Sequence, residues 1–146
     1  MPAFEDVPFE LRHYLTPRSM AVGVADRRTG ADTLLVLTGT VVFPETMNRY
    51  ATGDRVERRR IRFGLPQSPK LVTARGQVRS MQVSAGITSF HERAGSGDRC
   101  FAIDQAIIEW ADDLNELRVT IDTAFQGGGS TISRVAYNAF VLALVG

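Results

Sequence analysis

A tryptophan followed closely by two aspartates is the pattern in this chain that could bind a sugar. Trp110 offers a flat apolar face on which a sugar ring can stack, and the carboxylates of Asp112 and Asp113 can accept hydrogen bonds from its hydroxyl groups. The simpler interpretation, which we rank first, is that Trp110 anchors one end of a hydrophobic core. Trp110, Asp112 and Asp113 are kept as candidate carbohydrate-binding residues.

A run of arginines is the second pattern that could bind a ligand. On a strand, Arg58, Arg60 and Arg62 share one face, where their guanidinium groups could hold a phosphate or the carboxylate of a sugar acid. The preferred alternative is a solvated or edge-protecting face, or ion pairs with a second subunit. The chain has 17 Lys and Arg against 16 Asp and Glu, and no aromatic residues alternate with the arginines, so we expect no nucleic-acid partner.

Catalytic and metal-binding patterns are weaker. His91 and Cys100 could form a nucleophile pair, but they fall in or beside a predicted loop, and Cys100 fits better as a small buried side chain. The oxygen-rich run 112–116 lacks the glycine and the terminal glutamate of an EF-hand loop, and a hairpin turn explains it. The sequence therefore predicts no enzyme, no catalytic residue, no cofactor and no metal site.

Length and composition indicate one folded domain. The 146 residues are 44% hydrophobic, which is enough to build a core and too much for a disordered chain. No run of about 18 apolar residues predicts a membrane span, and the single cysteine excludes an internal disulfide. The chain starts with acids and prolines instead of a basic start and an apolar run. We therefore expect no signal peptide and synthesis in the cytoplasm, with a virion or an extracellular assembly as an open destination.

Alternation of apolar and polar residues is the main structural signal. The segment 117–125 alternates strictly, which is typical of a strand with one face on a core. After a glycine-rich turn at 126–130, the segment 135–145 is apolar on both faces, so this strand should lie centrally, covered on each side by its own chain or another copy. Further strand candidates lie at 20–25, 34–43, 56–63, 70–84 and 101–110, with polar loops at 44–54 and 88–99.

These strands predict an all-β fold, a single antiparallel β-sandwich of about six to eight strands. Residues 1–17 differ in character, because Pro2, Pro8 and Pro17 interrupt regular pairing. We predict an N-terminal arm over 1–17, which lies along a neighbouring subunit or straps its own sandwich, and a β-sandwich domain over 18–146.

The order of features in the last two-thirds of the chain carries a family resemblance. A strand with Arg and Phe at 59–63 leads through a Pro-marked bend at 65–72 to strands at 103–110 and 117–125, and an aromatic-bearing strand at 135–143 follows. This order resembles the H-type lectin-like β-sandwich family, whose members are usually trimeric or hexameric and occur in secreted lectins and in attachment modules of phage-like particles. Its closing strand usually carries a Trp where this chain has Tyr137. The resemblance therefore adds Tyr137 to the candidate carbohydrate-binding residues.

The predicted function is a non-enzymatic structural or attachment module of a phage-like or other large assembly. The two-sided apolar strand and the aromatic-rich arm favour a homo-oligomer, with a trimer preferred. Other assembly proteins or glycans are the further partners considered. A stand-alone carbohydrate-binding lectin is the first alternative, and a small hydrolase with a site in 88–113 is the second.

Overall fold

Two antiparallel β-sheets pack face to face, so the predicted all-β sandwich is confirmed. The computed structural model describes residues 5–6, 10–15, 20–21, 31–43, 51, 56–67, 70–92 and 99–145. The long strands of sheet I are, in spatial order, β5 (Glu57–Gly64), β8 (Glu116–Gln126) and β7 (Cys100–Ala111). The long strands of sheet II are, in the same sense, β4 (Ala31–Val42), β9 (Ser130–Val145) and β6 (Val78–Glu92).

Three short strands near the N-terminus extend the two sheets. β1 (Glu5–Asp6) runs parallel to β5, whereas β2 (Glu10–Leu15) and β3 (Met20–Ala21) are antiparallel to β4. Much of the arm predicted over 1–17 lies outside the described residues. Within it, the backbone of β2 pairs with a strand of its own chain, and the boundary between residues 17 and 18 stays a prediction.

The core lies between the two central strands, β8 and β9, which follow each other in the sequence. Their inward-facing residues include Leu117, Val119 and Ile121 on β8 and Val135, Ala139 and Val141 on β9, all with 0% exposure. Gly127 and Gly129 have φ angles of 114° and 78° in the turn that joins these strands, a conformation that strains other residues. The inner face of β9 is therefore covered by its own chain, which is one of the two alternatives predicted for each face of this strand.

An aromatic side chain on β9 packs over a glycine of the neighbouring strand. Tyr137 lies directly opposite Gly39 of β4, is 1% exposed, and contacts the ring of Phe63 in sheet I at a centroid distance of 5.0 Å. A Cβ on Gly39 would overlap the hydroxyl end of the Tyr137 ring. The absence of a side chain at Gly39 thus makes room for the ring that links the two sheets.

The segment before β6 differs from the prediction. We expected strand within 70–84 and a loop from 88, but the strand runs from Val78 to Glu92, and 70–77 is a loop that ends in a 3-10 turn at Arg75–Gln77. The cause is the carboxamide of Gln67. It accepts hydrogen bonds from the backbone N–H groups of Leu71 (3.2 Å) and Val72 (3.0 Å), and it donates to the carbonyl of Val72 (3.1 Å). These contacts occupy the groups that strand pairing would need.

The close approach of Tyr137 to Gly39 yields a stability prediction. We expect Gly39→Ala to lower the free energy of unfolding by about 1 to 3 kcal/mol, because the new methyl group must displace the buried ring. Urea denaturation followed by circular dichroism measures this change.

Gly86 on the edge strand β6 is the matched control, since a Cβ there would meet nothing within 4 Å. Gly86→Ala should stay within about 1 kcal/mol of the parent protein. Equal effects of the two substitutions would contradict the packing of Tyr137 described above.

Candidate functional site

A groove opens between the two edge strands, where β6 begins and β7 ends. Its volume is about 580 Å³, within the range of roughly 300 to 1,000 Å³ typical of small-molecule sites. It is lined by Arg75, Val78, Arg79, Ser80, Met81, Glu109 and Trp110. Towards the other end of the same two strands, Phe90 stacks on Phe101 at a centroid distance of 4.4 Å. We call the groove lined by these seven residues the Trp110 groove.

A network of hydrogen bonds holds the loop that carries Arg75. The side-chain oxygen of Gln77 accepts from the backbone N–H groups of Thr73 (2.7 Å) and Ala74 (2.9 Å). The side-chain nitrogen of Gln77 donates to the carbonyl oxygen of Leu144 at 3.0 Å, which ties the loop to the end of β9. Arg75 thus projects from a fixed turn at the rim of the groove.

A β-bulge places Arg79 at the groove. Val78 pairs with Ala143 and Ser80 with Leu142, so Arg79 is the extra residue on β6 where the register shifts. Bulges interrupt the two-residue alternation of a strand and redirect its side chains. As a result, the consecutive residues 78–81 all line the same groove, although a regular strand would point half of them to the opposite face.

Of the four predicted carbohydrate-binding residues, Trp110 lines this groove and Asp112 contacts Arg75 at its rim. Trp110 is half-buried, with part of its side chain packed against the core and part lining the groove. Asp112 forms an ion pair with Arg75 at 3.5 Å, and Asp113 approaches Arg118 at 3.7 Å. Both aspartates are more than 70% exposed, so water weakens these pairs. The predicted hairpin turn explains their position, since 112–115 joins β7 to β8.

Tyr137 lies apart from the other three candidates. Its ring is buried between the sheets, and its hydroxyl group has no hydrogen-bond partner among the described residues. Burial raises the pKa of Tyr137 to about 12, so the phenol stays neutral at physiological pH. In this structure Tyr137 has a packing role in the core, and a surface ligand does not reach it.

The outer face of sheet I carries charges that are paired within the chain. Asp122 on β8 lies directly opposite Arg60 on β5 and Gln105 on β7. Arg60 donates two hydrogen bonds to its carboxylate, at 2.8 and 3.1 Å, and Gln105 donates one at 2.6 Å. Next to this cluster, Arg58 forms an ion pair with Asp104. Arg58 and Arg60 of the arginine run therefore make ion pairs within their own sheet, and these pairs use guanidinium groups that a phosphate would need.

The Asp122 carboxyl is fully buried and charged. Burial by itself raises the pKa of this group, but the hydrogen bonds from Arg60 and Gln105 and the positive charges of Arg60 and Arg62 outweigh it. The pKa of Asp122 therefore lies below its usual range.

The outer face of sheet II is apolar where β4 meets β9. Val36 lies opposite Phe140, and Leu34 lies opposite Leu142. These side chains point away from the core, and Phe140 is 38% exposed. On the other side of β9 the neighbours are polar, with Gln82 opposite Phe140. We call the residues Leu34, Val36, Phe140, Leu142 and Leu144 the apolar patch.

The described residues contain no group of three His, Cys, Asp or Glu side chains that could hold a metal ion. Cys100 is exposed and has no disulfide partner, in contrast to the buried position predicted for it, and the side chain of His91 lies outside the described residues. The described residues also form no helix with the length and hydropathy needed to cross a bilayer.

Comparison of the chain with models of protein families, with curated proteins and with solved structures gives no match. The resemblance to the H-type lectin-like family stays a prediction. Arg75, Arg79 and Glu109 of the Trp110 groove were not among the predicted site residues. Glu109 directly precedes Trp110 on β7. The fold of the 70–77 loop brings Arg75 to Trp110 and the bulge brings Arg79, and neither feature leaves a regular pattern in the sequence.

The paired Asp122 carboxylate predicts a pH-dependent stability. Because its pKa is lowered by folding, its contribution is complete above the ordinary carboxyl pKa and is lost as the pH falls through the folded value. We expect Asp122→Asn to lower the free energy of unfolding at pH 7 by about 2 to 3 kcal/mol. The difference from the parent should shrink in acid, which urea denaturation across pH measures.

The control is Asp112→Asn, which removes a carboxylate from an exposed ion pair and should change stability at pH 7 by less than about 0.5 kcal/mol. A constant difference between Asp122→Asn and the parent from neutral to strongly acidic pH would contradict the charged state assigned to Asp122.

Proposed function

We propose that the protein is a non-enzymatic structural or attachment module that works as a homo-oligomer in a phage-like or other large assembly, with a trimer as the preferred state. The observation that carries this proposal is the apolar patch on the outer face of sheet II. Phe140 at its centre is 38% exposed in the single chain, on the central strand of the sheet. A second copy of the chain is the partner that we assign to this patch.

The hydrophobic effect supplies the driving force for this contact. Each square ångström of apolar surface removed from water contributes roughly 25 cal/mol, and a contiguous patch on two paired strands can be covered in one step. The patch joins Leu34 and Val36 of β4 to Phe140 and Leu142 of β9 through direct cross-strand pairs. It therefore offers a continuous contact surface, and the polar neighbours on β6 form its rim.

The contrast with sheet I supports the choice of surface. The outer face of sheet I satisfies its charges internally, through Arg60 with Asp122 and Arg58 with Asp104. Covering such a face would expel water from groups that gain no new partner. Self-association through sheet II avoids the desolvation of these charges. It would also explain why β9 is apolar on both faces.

A second candidate function is carbohydrate binding by a lectin-like domain. The observation that favours it is the position of Trp110, which is half-buried and lines a groove of about 580 Å³ together with charged side chains. The groove lies on the open edge between β6 and β7 and adjoins the apolar patch, since Ser80 of the groove pairs with Leu142 of the patch. An attachment module would need both a self-contact and a surface for a partner.

We expect Phe140→Lys to dissociate the homo-oligomer into single chains, because a lysine in the centre of the contact would have to be buried without a partner. Size-exclusion chromatography with light scattering measures the mass. The parent protein should elute with a mass close to three times that of one chain.

Ile107→Lys is the matched control. Ile107 is an apolar residue on the outer face of sheet I with a similar exposure of 42%, and its replacement should leave the mass unchanged. Loss of the oligomer with Ile107→Lys but not with Phe140→Lys would show that the contact lies on sheet I, and would contradict the proposed contact on sheet II. A parent protein with the mass of one chain would refute self-association.

A further inference from the structure

We propose that the Trp110 groove binds a carboxylated saccharide, that is, a sugar acid. This inference rests on the second candidate function, saccharide binding, and is independent of self-association. It specifies the class of sugar from the charges that surround Trp110.

Trp110 provides the stacking surface. A sugar ring has a face of C–H groups that packs on an aromatic ring, while its edge carries hydroxyl groups that need polar partners. Both environments occur in the groove, where Trp110 and Met81 are apolar and Ser80 and Glu109 can form hydrogen bonds with hydroxyl groups. Because Trp110 is held against the core on one side, its ring is already in position before a ligand arrives.

Arg75 and Arg79 provide the charge that selects an acid. A guanidinium group binds a carboxylate through two parallel hydrogen bonds, which a neutral sugar cannot accept in the same way. Arg75 forms an ion pair at 3.5 Å with Asp112, which is itself 73% exposed, so a ligand carboxylate can replace this weak contact at little cost. Arg79 is directed to the groove by the bulge in β6.

The balance of charge in the groove favours a single carboxylate over a phosphate. Two arginines and one glutamate line it, and Asp112 pairs with Arg75 at its rim, so Glu109 and Asp112 offset the positive charge until a ligand carboxylate displaces Asp112. A ligand with one negative charge and several hydroxyl groups uses all three side chains, since Glu109 can accept hydrogen bonds from hydroxyls. A phosphate dianion would be repelled by Glu109 and would leave Trp110 without a stacking partner.

The test uses the fluorescence of the intact protein. Trp110 is the single tryptophan of the chain, so its emission reports on this groove alone. Titration with D-glucuronate should give a saturable change in emission. D-glucose is the neutral analogue of glucuronate, and acetate is a carboxylate without a sugar ring. Neither should give a saturable change in emission over the same concentration range. Added salt should weaken the response to glucuronate.

Two variants locate the binding. Arg79→Gln should weaken glucuronate binding by about tenfold, the effect expected from losing one charge-assisted contact. Arg62→Gln removes the same charge from the exposed outer face of sheet I and should bind as the parent does. Circular dichroism of both variants checks that the fold is retained.

Each contrary result has a separate meaning. An equal response to glucose and glucuronate would overturn the acid specificity and leave saccharide binding in place. An equal response to acetate and glucuronate would overturn the claim that the groove recognises a sugar ring. No response to any of the three would overturn both this inference and the second candidate function, whereas the mass measurements on the oligomer would be unaffected.

Discussion

The burial of β9 is the constraint on which the rest of the structure depends. This strand is paired along its length with β4 on one side and β6 on the other, and its inward residues are excluded from water. Tyr137 can occupy the middle of this inner face because Gly39 has no side chain, and it carries the contact to Phe63 in sheet I. A strand held so firmly fixes the orientation of its other face as well. Phe140 must point outward, and its exposure follows from the same alternation that buries its neighbours.

Much of the fold could be predicted from the sequence because its signal is local. The alternation in 117–125 and the glycine turn at 126–130 predict the strands β8 and β9 and the turn between them. That this turn carries the chain from one sheet to the other was not predicted. The boundary of β6 was wrong because the side chain of Gln67 replaces the strand pairing that Leu71 and Val72 would otherwise make. A side-chain amide that binds nearby backbone groups has no periodic signature, so alternation alone does not find it.

The candidate site was predicted less well because it depends on contacts between distant parts of the chain. Trp110, Asp112 and Asp113 were found as neighbours in sequence, and Arg75 joins them through a loop that Gln77 anchors to the end of β9. Tyr137 was assigned to sugar binding through a family resemblance, but its ring is 1% exposed in the core. The pairing of Arg60 with Asp122 depends in the same way on the register of two strands, which no local pattern reveals.

Three surfaces of one small sandwich therefore differ in their chemistry. Sheet I pairs its own charges, the open edge presents Trp110 with arginines, and sheet II leaves Phe140 partly in water.

The central claim is that another copy of the chain covers the apolar patch on sheet II. Nuclear magnetic resonance with a soluble gadolinium chelate tests it most directly, by comparing the relaxation of the Phe140 ring with that of the Ile107 methyl groups in the unmodified protein. The account predicts that Phe140 is protected and Ile107 is not. Equally fast relaxation of both side chains would contradict it.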